Sequence, residues 1–300
     1  MSYRPNPRPT TPIASTPGRR GRRAGLRAVL LTGVVSTLVA VAAAGPAAAA
    51  VTGPSESSDG GTTKTTATGE ARVTTAVLDL DHPALQPEVR GKDVPYDTAS
   101  IIKVDILATL LLQAQDAGRG LTQQERTWAT AMIEHSDNDA ANALWSRIGQ
   151  APGLEAANKR LGLSSTVGGA AGKWGLTQTT ATDQIRVLQA VFADGGTSSA
   201  SGSALTEASQ TYIRTLMTRI AAGQSWGVSA ASDAGWALKN GWLQRSTTGL
   251  WDINSVGEVT SGTHHYLVAV LSAGNASMAG GIAAVERAAR TAVSSARAVG

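Results

Sequence analysis

The sequence predicts an α/β (α+β) fold: one antiparallel sheet flanked by helices, with an all-helical insertion. Three observations lead there. A Val- and Thr-rich stretch, "RVTTAVLDL" (72–80), reads as a strand. A long block of helical spacing follows it. The apolar period then changes to two in "AGWALKNGWL", "GLWDINSVGEV" and "THHYLVAVLSAG", before a closing helix, "GGIAAVERAARTAVSSARA". One strand, a helical block, three strands and a helix bring the terminal strands into a single sheet with the helices inserted between them.

Residues 1–50 are different in kind. They hold seven arginines (4, 8, 19, 20, 22, 23 and 27), no acidic residue, an apolar run from Ala28 to Gly45 and then small residues. This is the pattern of an export signal, with an uncleaved signal anchor as the alternative because the run is long. The arginine pairs also allow a twin-arginine route. The protein is therefore expected to be secreted, or held at the outer face of the cytoplasmic membrane by its leader. Without those arginines, 19 basic residues face 22 acidic ones, so the pI of 9.6 belongs to the leader and nucleic-acid binding is not indicated. Residues 51–70 are Ser/Thr/Gly-rich and read as a flexible spacer. Residues 71–300 form the single folded domain, expected to be a monomer.

The chain has no cysteine, which excludes disulfides, thiolate catalysis and Cys-type zinc sites. Of the four histidines, the adjacent His264 and His265 would point to opposite strand faces and make a poor chelate. No metal or cofactor is expected.

Along the domain, "DHPALQPEVRGKDVPYD" is turn-rich. Apolar residues from Ser100 to about Asp116 cover nearly every face, which predicts a central, buried helix capped by Asp97 or Thr98. "LTQQERTWATAMIEHSDNDAANALWSRIG" is two helices with a polar break at 136–139. "GLEAANKRLG" is a third helix ending at Gly162. After the loop "LSSTVGGAAGKWGL" come the helix "TATDQIRVLQAVFADGG" and another near 205–222.

Three short motifs carry the chemistry. Ser100 and Lys103 lie three apart at the head of the buried helix, on one face, so the amine reaches the hydroxyl and burial pushes the lysine towards a usable base. Ser136-Asp137-Asn138 sits at a helix break. There Ser136 shuttles a proton to a leaving group, Asn138 bonds substrate or Lys103, and Asp137 turns away to hold the loop. Lys239-Asn240-Gly241 lies in a strand, where a cation can bind a substrate carboxylate and Gly241 allows close approach. Lys173-Trp174-Gly175 has the same K-x-G form but sits in a loop, so Lys239 is preferred. Only six lysines exist in the chain, and two of them fall in these motifs, in order.

S-x-x-K, S-D-N and K-x-G in this order resemble the signature of class A β-lactamases and penicillin-binding proteins. The likeness extends over 71–300 and implies the β-lactamase/D,D-peptidase-like fold. It further implies that Ser100 forms an acyl-enzyme, Lys103 takes its proton and Ser136 protonates the departing nitrogen. Asn138, Lys239, Asn240 and Gly241 would hold a small-molecule or cell-wall peptide substrate, and the N–H groups of Ser100 and Trp242 would form the oxyanion hole. The family's K-T-G reads K-N-G here, and the spacing from Ser100 to Ser136 is shorter than usual. The loop where the family keeps a deacylating glutamate, "SSTVGGAAGKWGLTQ", has no acidic residue, and Glu155 and Asp183 flank it from helices. Acylation with slow deacylation is expected.

The alternatives are a D,D-peptidase acting on stem peptides and a non-hydrolytic domain that senses cell-wall fragments. Gly223-x-Ser225-x-Gly227 matches a nucleophile elbow, with Asp233, Asp252 or Glu258 and then His264 or His265 after it. It follows a helix, however, where an elbow needs a strand.

Overall fold

The computed structural model describes residues 71–82, 86–193 and 203–299; the expected leader (1–50) and spacer (51–70) lie outside the described residues. In chain order the elements begin with β1 (Arg72–Asp79), β2 (Glu88–Arg90) and β3 (Tyr96–Asp97). A 3₁₀ turn (Ala99–Ile101) carries Ser100 into α1 (Ile102–Asp116). Then come α2 (Gln123–Glu134), α3 (Asn138–Arg147), α4 (Gln150–Leu161), β4 (Gln178–Thr179), α5 (Ala181–Phe192) and α6 (Glu207–Met217). The chain closes with β5 (Trp236–Gln244), β6 (Trp251–Ser261), β7 (His264–Asn275) and α7 (Met278–Val299).

Every strand pairing is antiparallel, and the main sheet runs β2-β1-β7-β6-β5. The terminal strands share one sheet with the helices inserted, as the change of period predicts. Three short strands carry no periodic signal and escape sequence reading: β2 extends the sheet beside β1, and β3 pairs with β4. Helix α4 also begins at Gln150, ahead of the expected start, and ends at Gly162, whose φ of +72° suits glycine.

The sheet's two faces follow from the two-residue period of its strands. Val77, Leu238, Tyr266 and Val268 pack towards α7, whereas Ala76, Ala237, Val256, Leu267 and Ala269 pack towards the helical block. Lys239 therefore faces the helices and Asn240 faces α7. Helix α1 is buried at every side chain from Ile102 to Leu112, and each fully buried Leu or Ile there contributes about 1.5–3 kcal/mol. That depth fixes the turn carrying Ser100 between α1 and the edge strand β5.

Candidate active site

Ser100 is half-buried in the 3₁₀ turn, directly after Ala99, which holds a φ of +47°. No side chain caps this turn or α1. This corrects the expectation for Asp97 and Thr98. The Asp97 carboxylate instead accepts hydrogen bonds from Gln178 and Arg245, tying β3 to the segments that flank the site. The backbone before Ser100 is fixed by Asn254 of β6, whose amide donates to the carbonyls of Asp97 (2.9 Å) and Thr98 (3.1 Å).

Gly241 explains how the strand approaches this turn. A Cβ there would stand 2.7 Å from the Thr98 carbonyl oxygen and 2.8 Å from the Ser100 nitrogen. Only a hydrogen at that position lets β5 lie against the Ser100 turn. The space Gly241 leaves is taken by the protein's own backbone, where the sequence reading reserved it for substrate. Trp242, the next residue, is half-buried beside it.

Two fully buried lysines meet at one hydroxyl. Lys103 Nζ donates to the Ser136 carbonyl (2.7 Å), Ser136 Oγ (3.1 Å) and Asn138 Oδ1 (2.9 Å). Lys239 Nζ donates to the same Ser136 Oγ (3.1 Å) and to the Asn240 carbonyl (2.9 Å). Ser136 itself holds a φ of +55°, and Asp137 caps α3 by accepting from the Ala140 N–H at 2.7 Å. Strain at Ala99, beside Ser100, and at Ser136 is typical of positions the surrounding fold must hold in place.

A hydroxyl has one proton and two lone pairs. Both lone pairs of Ser136 Oγ face lysine amines, so its proton is free to point at a third group. Lys103, expected to bond Ser100, directs its described hydrogen bonds to Ser136 and Asn138 instead. Burial lowers the Lys103 pKa to about 8, against a smaller opposing pull from Asp137. Burial also takes Lys239 well below the ordinary lysine value, and the neighbouring Lys103 adds to that.

Asn240 is corrected. Its side chain lies on the α7 face, and its amide donates to the carbonyls of Gln224 (2.7 Å) and Trp226 (2.8 Å). It braces the 222–228 segment and has no donor left for a substrate. Ser225, the elbow candidate, donates to the Ala222 carbonyl and lies between two short 3₁₀ turns, while His264 and His265 bond Asp79 and Asp81.

Sequence reading set aside Lys173-Trp174-Gly175, yet the loop returns one of its residues to the site. The Trp174 ring lies 4.8 Å from Lys103 Nζ, and its Nε1 donates to Asn142 Oδ1 at 2.8 Å. Of the flanking acids, Glu155 is exposed on α4. Asp183 is buried, and its carboxylate accepts from Ser164 N, Ser165 N, Thr166 Oγ1 and Arg186.

The profile of the β-lactamase enzyme family matches residues 119–296. Among solved structures, a β-lactamase from Chitinophaga pinensis superposes with a TM-score of 0.64 at 17% identity, covering 77% of this chain and 96% of that one. The TLA-1 extended-spectrum β-lactamase gives 0.62 at 15% identity, covering 74% and 93%. A PBP-A variant, solved as an acyl-enzyme with penicillin G, gives 0.60 at 19% identity, covering 77% and 92%. These likenesses establish the fold. A Mycobacterium tuberculosis protein bearing the lipoprotein name LppW is 30% identical over 133 residues, 43% of this chain and 42% of its own length. The match thus spans less than half of that relative.

Proposed function

The chain belongs to the β-lactamase enzyme family, and on that premise we propose that it is an active-site-serine acyl hydrolase with Ser100 as nucleophile. The observation that carries this is the sharing of Ser136 Oγ by two buried amines beside the Ser100 turn. The Ser100 oxygen attacks an acyl carbonyl, and its proton passes to neutral Lys103. The Ser136 proton goes to the departing nitrogen, and the lysines replace it. Burial disfavours the Lys239 ammonium in the free protein, and an anionic substrate placed beside it restores that charge, which favours such a substrate. The N–H groups of Ser100 and Trp242 receive the oxyanion, each such donor being worth about 3–4 kcal/mol in related chemistry.

Deacylation is slow in this reading. The loop over Lys103 presents an indole rather than a carboxylate, and Asp183 is consumed in holding the loop. A long-lived adduct is equally compatible with a D,D-peptidase or with a sensor of cell-wall fragments. The indole over Lys103 favours these over an efficient lactamase. Export fits the arginine-rich leader and the lipoprotein name of the mycobacterial relative. The 300 residues hold no cysteine to carry a lipid, so export rests on the leader.

Intact-protein mass spectrometry after incubation with a penicillin tests the reading. A persistent adduct on Ser100, lost in Ser100→Ala and kept in Ser225→Ala, is expected. Penicillin consumed without any adduct would overturn slow deacylation, and an adduct surviving Ser100→Ala would overturn the nucleophile.

A further inference from the structure

On the α7 face of the sheet, away from Ser100, two histidines converge on one carboxylate oxygen. Asp79 ends β1, and its Oδ1 accepts the Asp81 backbone N–H at 2.9 Å, which fixes the carboxylate's orientation. The other oxygen, Oδ2, lies 2.9 Å from His82 Nδ1 and 3.2 Å from His264 Nδ1. All three donor atoms fall within 4.8 Å of one another. Asp79 is only 5% exposed, while His82 is 44% exposed and opens the cluster to solvent.

A buried carboxylate oxygen needs one good donor. Two imidazoles can both bond the same oxygen only if each carries its proton on Nδ1; without that proton each Nδ1 turns a lone pair towards the carboxylate instead. A cation uses both lone pairs and the carboxylate charge together. Zinc binds imidazole nitrogen at about 2.0–2.1 Å and carboxylate oxygen at about 2.0–2.2 Å, so tetrahedral donors stand roughly 3.3 Å apart. The two separations measured from Asp79 Oδ2 lie close to that spacing.

A second observation sits beside the three donors. Tyr266 pairs directly with Asp79 across the β1–β7 ladder, so both side chains project from the same face. Its ring stacks on His264 with centroids 6.0 Å apart, and His264 stacks on His82 at 5.5 Å. The Tyr266 hydroxyl is buried and has no hydrogen-bond partner among the described residues. An orphaned buried hydroxyl on the residue that pairs with Asp79 and stacks on His264 is what a bound ion with its own water would satisfy.

We propose that Asp79, His82 and His264 form a binding site for a divalent first-row cation of the zinc class. Three protein ligands leave a coordination position open, to be filled by water or a small anion. The ligands come from the end of β1, the turn after it and the start of β7, so the ion would pin the turn to the sheet. His265, on the opposite strand face and bonded to Asp81, takes no part. The proposal does not depend on the chemistry at Ser100.

The test is titration of the full chain with zinc chloride, read by calorimetry and by the visible spectrum of the cobalt(II) form. One ion per chain is expected, with a Kd of about 10 µM or tighter. His82 is a surface residue, so His82→Ala will fold, and it should weaken binding at least about tenfold while abolishing the cobalt bands. His265→Ala should leave the affinity unchanged. Absence of binding, equal affinity in wild type and His82→Ala, or an equal loss in His265→Ala would each overturn the site.

Discussion

Lys103 and Asp105 sit two residues apart on α1, both fully buried, and they met opposite fates. Two steps along a helix place side chains on different sides. Lys103 points at the 136–138 loop, where its amine finds three acceptors. Asp105 points into the core against α5. There one oxygen lies 3.5 Å from Gln184 Nε2 and the other has no partner among the described residues. Burial pushes each towards neutrality, Lys103 down to about 8 and Asp105 up to about 7. Desolvation alone therefore marks neither as functional. What separates them is the company: Lys103 shares its acceptor with a second amine beside Ser100, whereas Asp105 meets Gln184, whose own Oε1 has no partner among the described residues.

Removing the lysine should have the largest effect. Lys103→Met keeps the volume of a buried side chain and deletes the base, and the acylation rate of Ser100 should fall by about 10³-fold or more, roughly 4 kcal/mol in the barrier. In the wild type the neutral amine is the competent form, so acylation should rise with pH and level off above about 8. Stopped-flow acylation by a chromogenic cephalosporin between pH 6 and 10 reads both effects. A flat profile, or a Met variant that acylates normally, would assign the proton to another group.

The aspartate should matter for stability and leave the acylation rate alone. Its folded pKa is raised, so folding carries a penalty that is absent below about pH 4, grows as pH climbs through 7, and is constant above. Asp105→Asn removes the charge and supplies an N–H for Gln184 Oε1. The variant should be more stable than wild type by about 1–3 kcal/mol at pH 8, and the gap should close towards pH 4. Urea unfolding at the two pH values decides it. Parallel pH profiles for the two proteins would mean that Asp105 is not the titrating group.

The contrast also shows where sequence reading worked. Helices α2 to α6 and strands β5 to β7 are periodic enough to be read directly, α1 is legible as a stretch apolar on nearly every face, and the lysines and Ser136 are visible because each sits in a motif of fixed spacing. Asn240 could have been placed correctly: once Lys239 faces the site, the two-residue strand period sends its neighbour to the other face. Asn254 and Asn142 act across the fold on segments far away in the chain, so no local pattern announces them. The Asp79–His82–His264 cluster is of the same kind, its last ligand lying 185 residues from its first. The strands β2, β3 and β4 are only two or three residues long, too short for any period to register.

Trp174 sharpens the comparison at the smallest scale, because it helps to keep Lys103 as dry as Asp105. Its ring covers the amine at 4.8 Å, and Asn142 holds it there. Trp174→Ala opens that side to water, with two consequences of opposite sign for the lysine. Losing the cation–π contact disfavours the ammonium by about 0.5–2 kcal/mol. Regained hydration favours it, and burial is the leading cause of the depressed pKa, so hydration wins. The acylation midpoint should therefore move above 8. Water should also reach the acyl-enzyme and shorten its lifetime about tenfold, close to 1.4 kcal/mol. Trp174→Phe keeps an aromatic cover but loses the bond to Asn142, and should fall between the two. Adduct lifetimes by mass spectrometry give the order directly. If the alanine variant holds its adduct as long as wild type, water is kept out by the loop's backbone and the indole serves only to pack it.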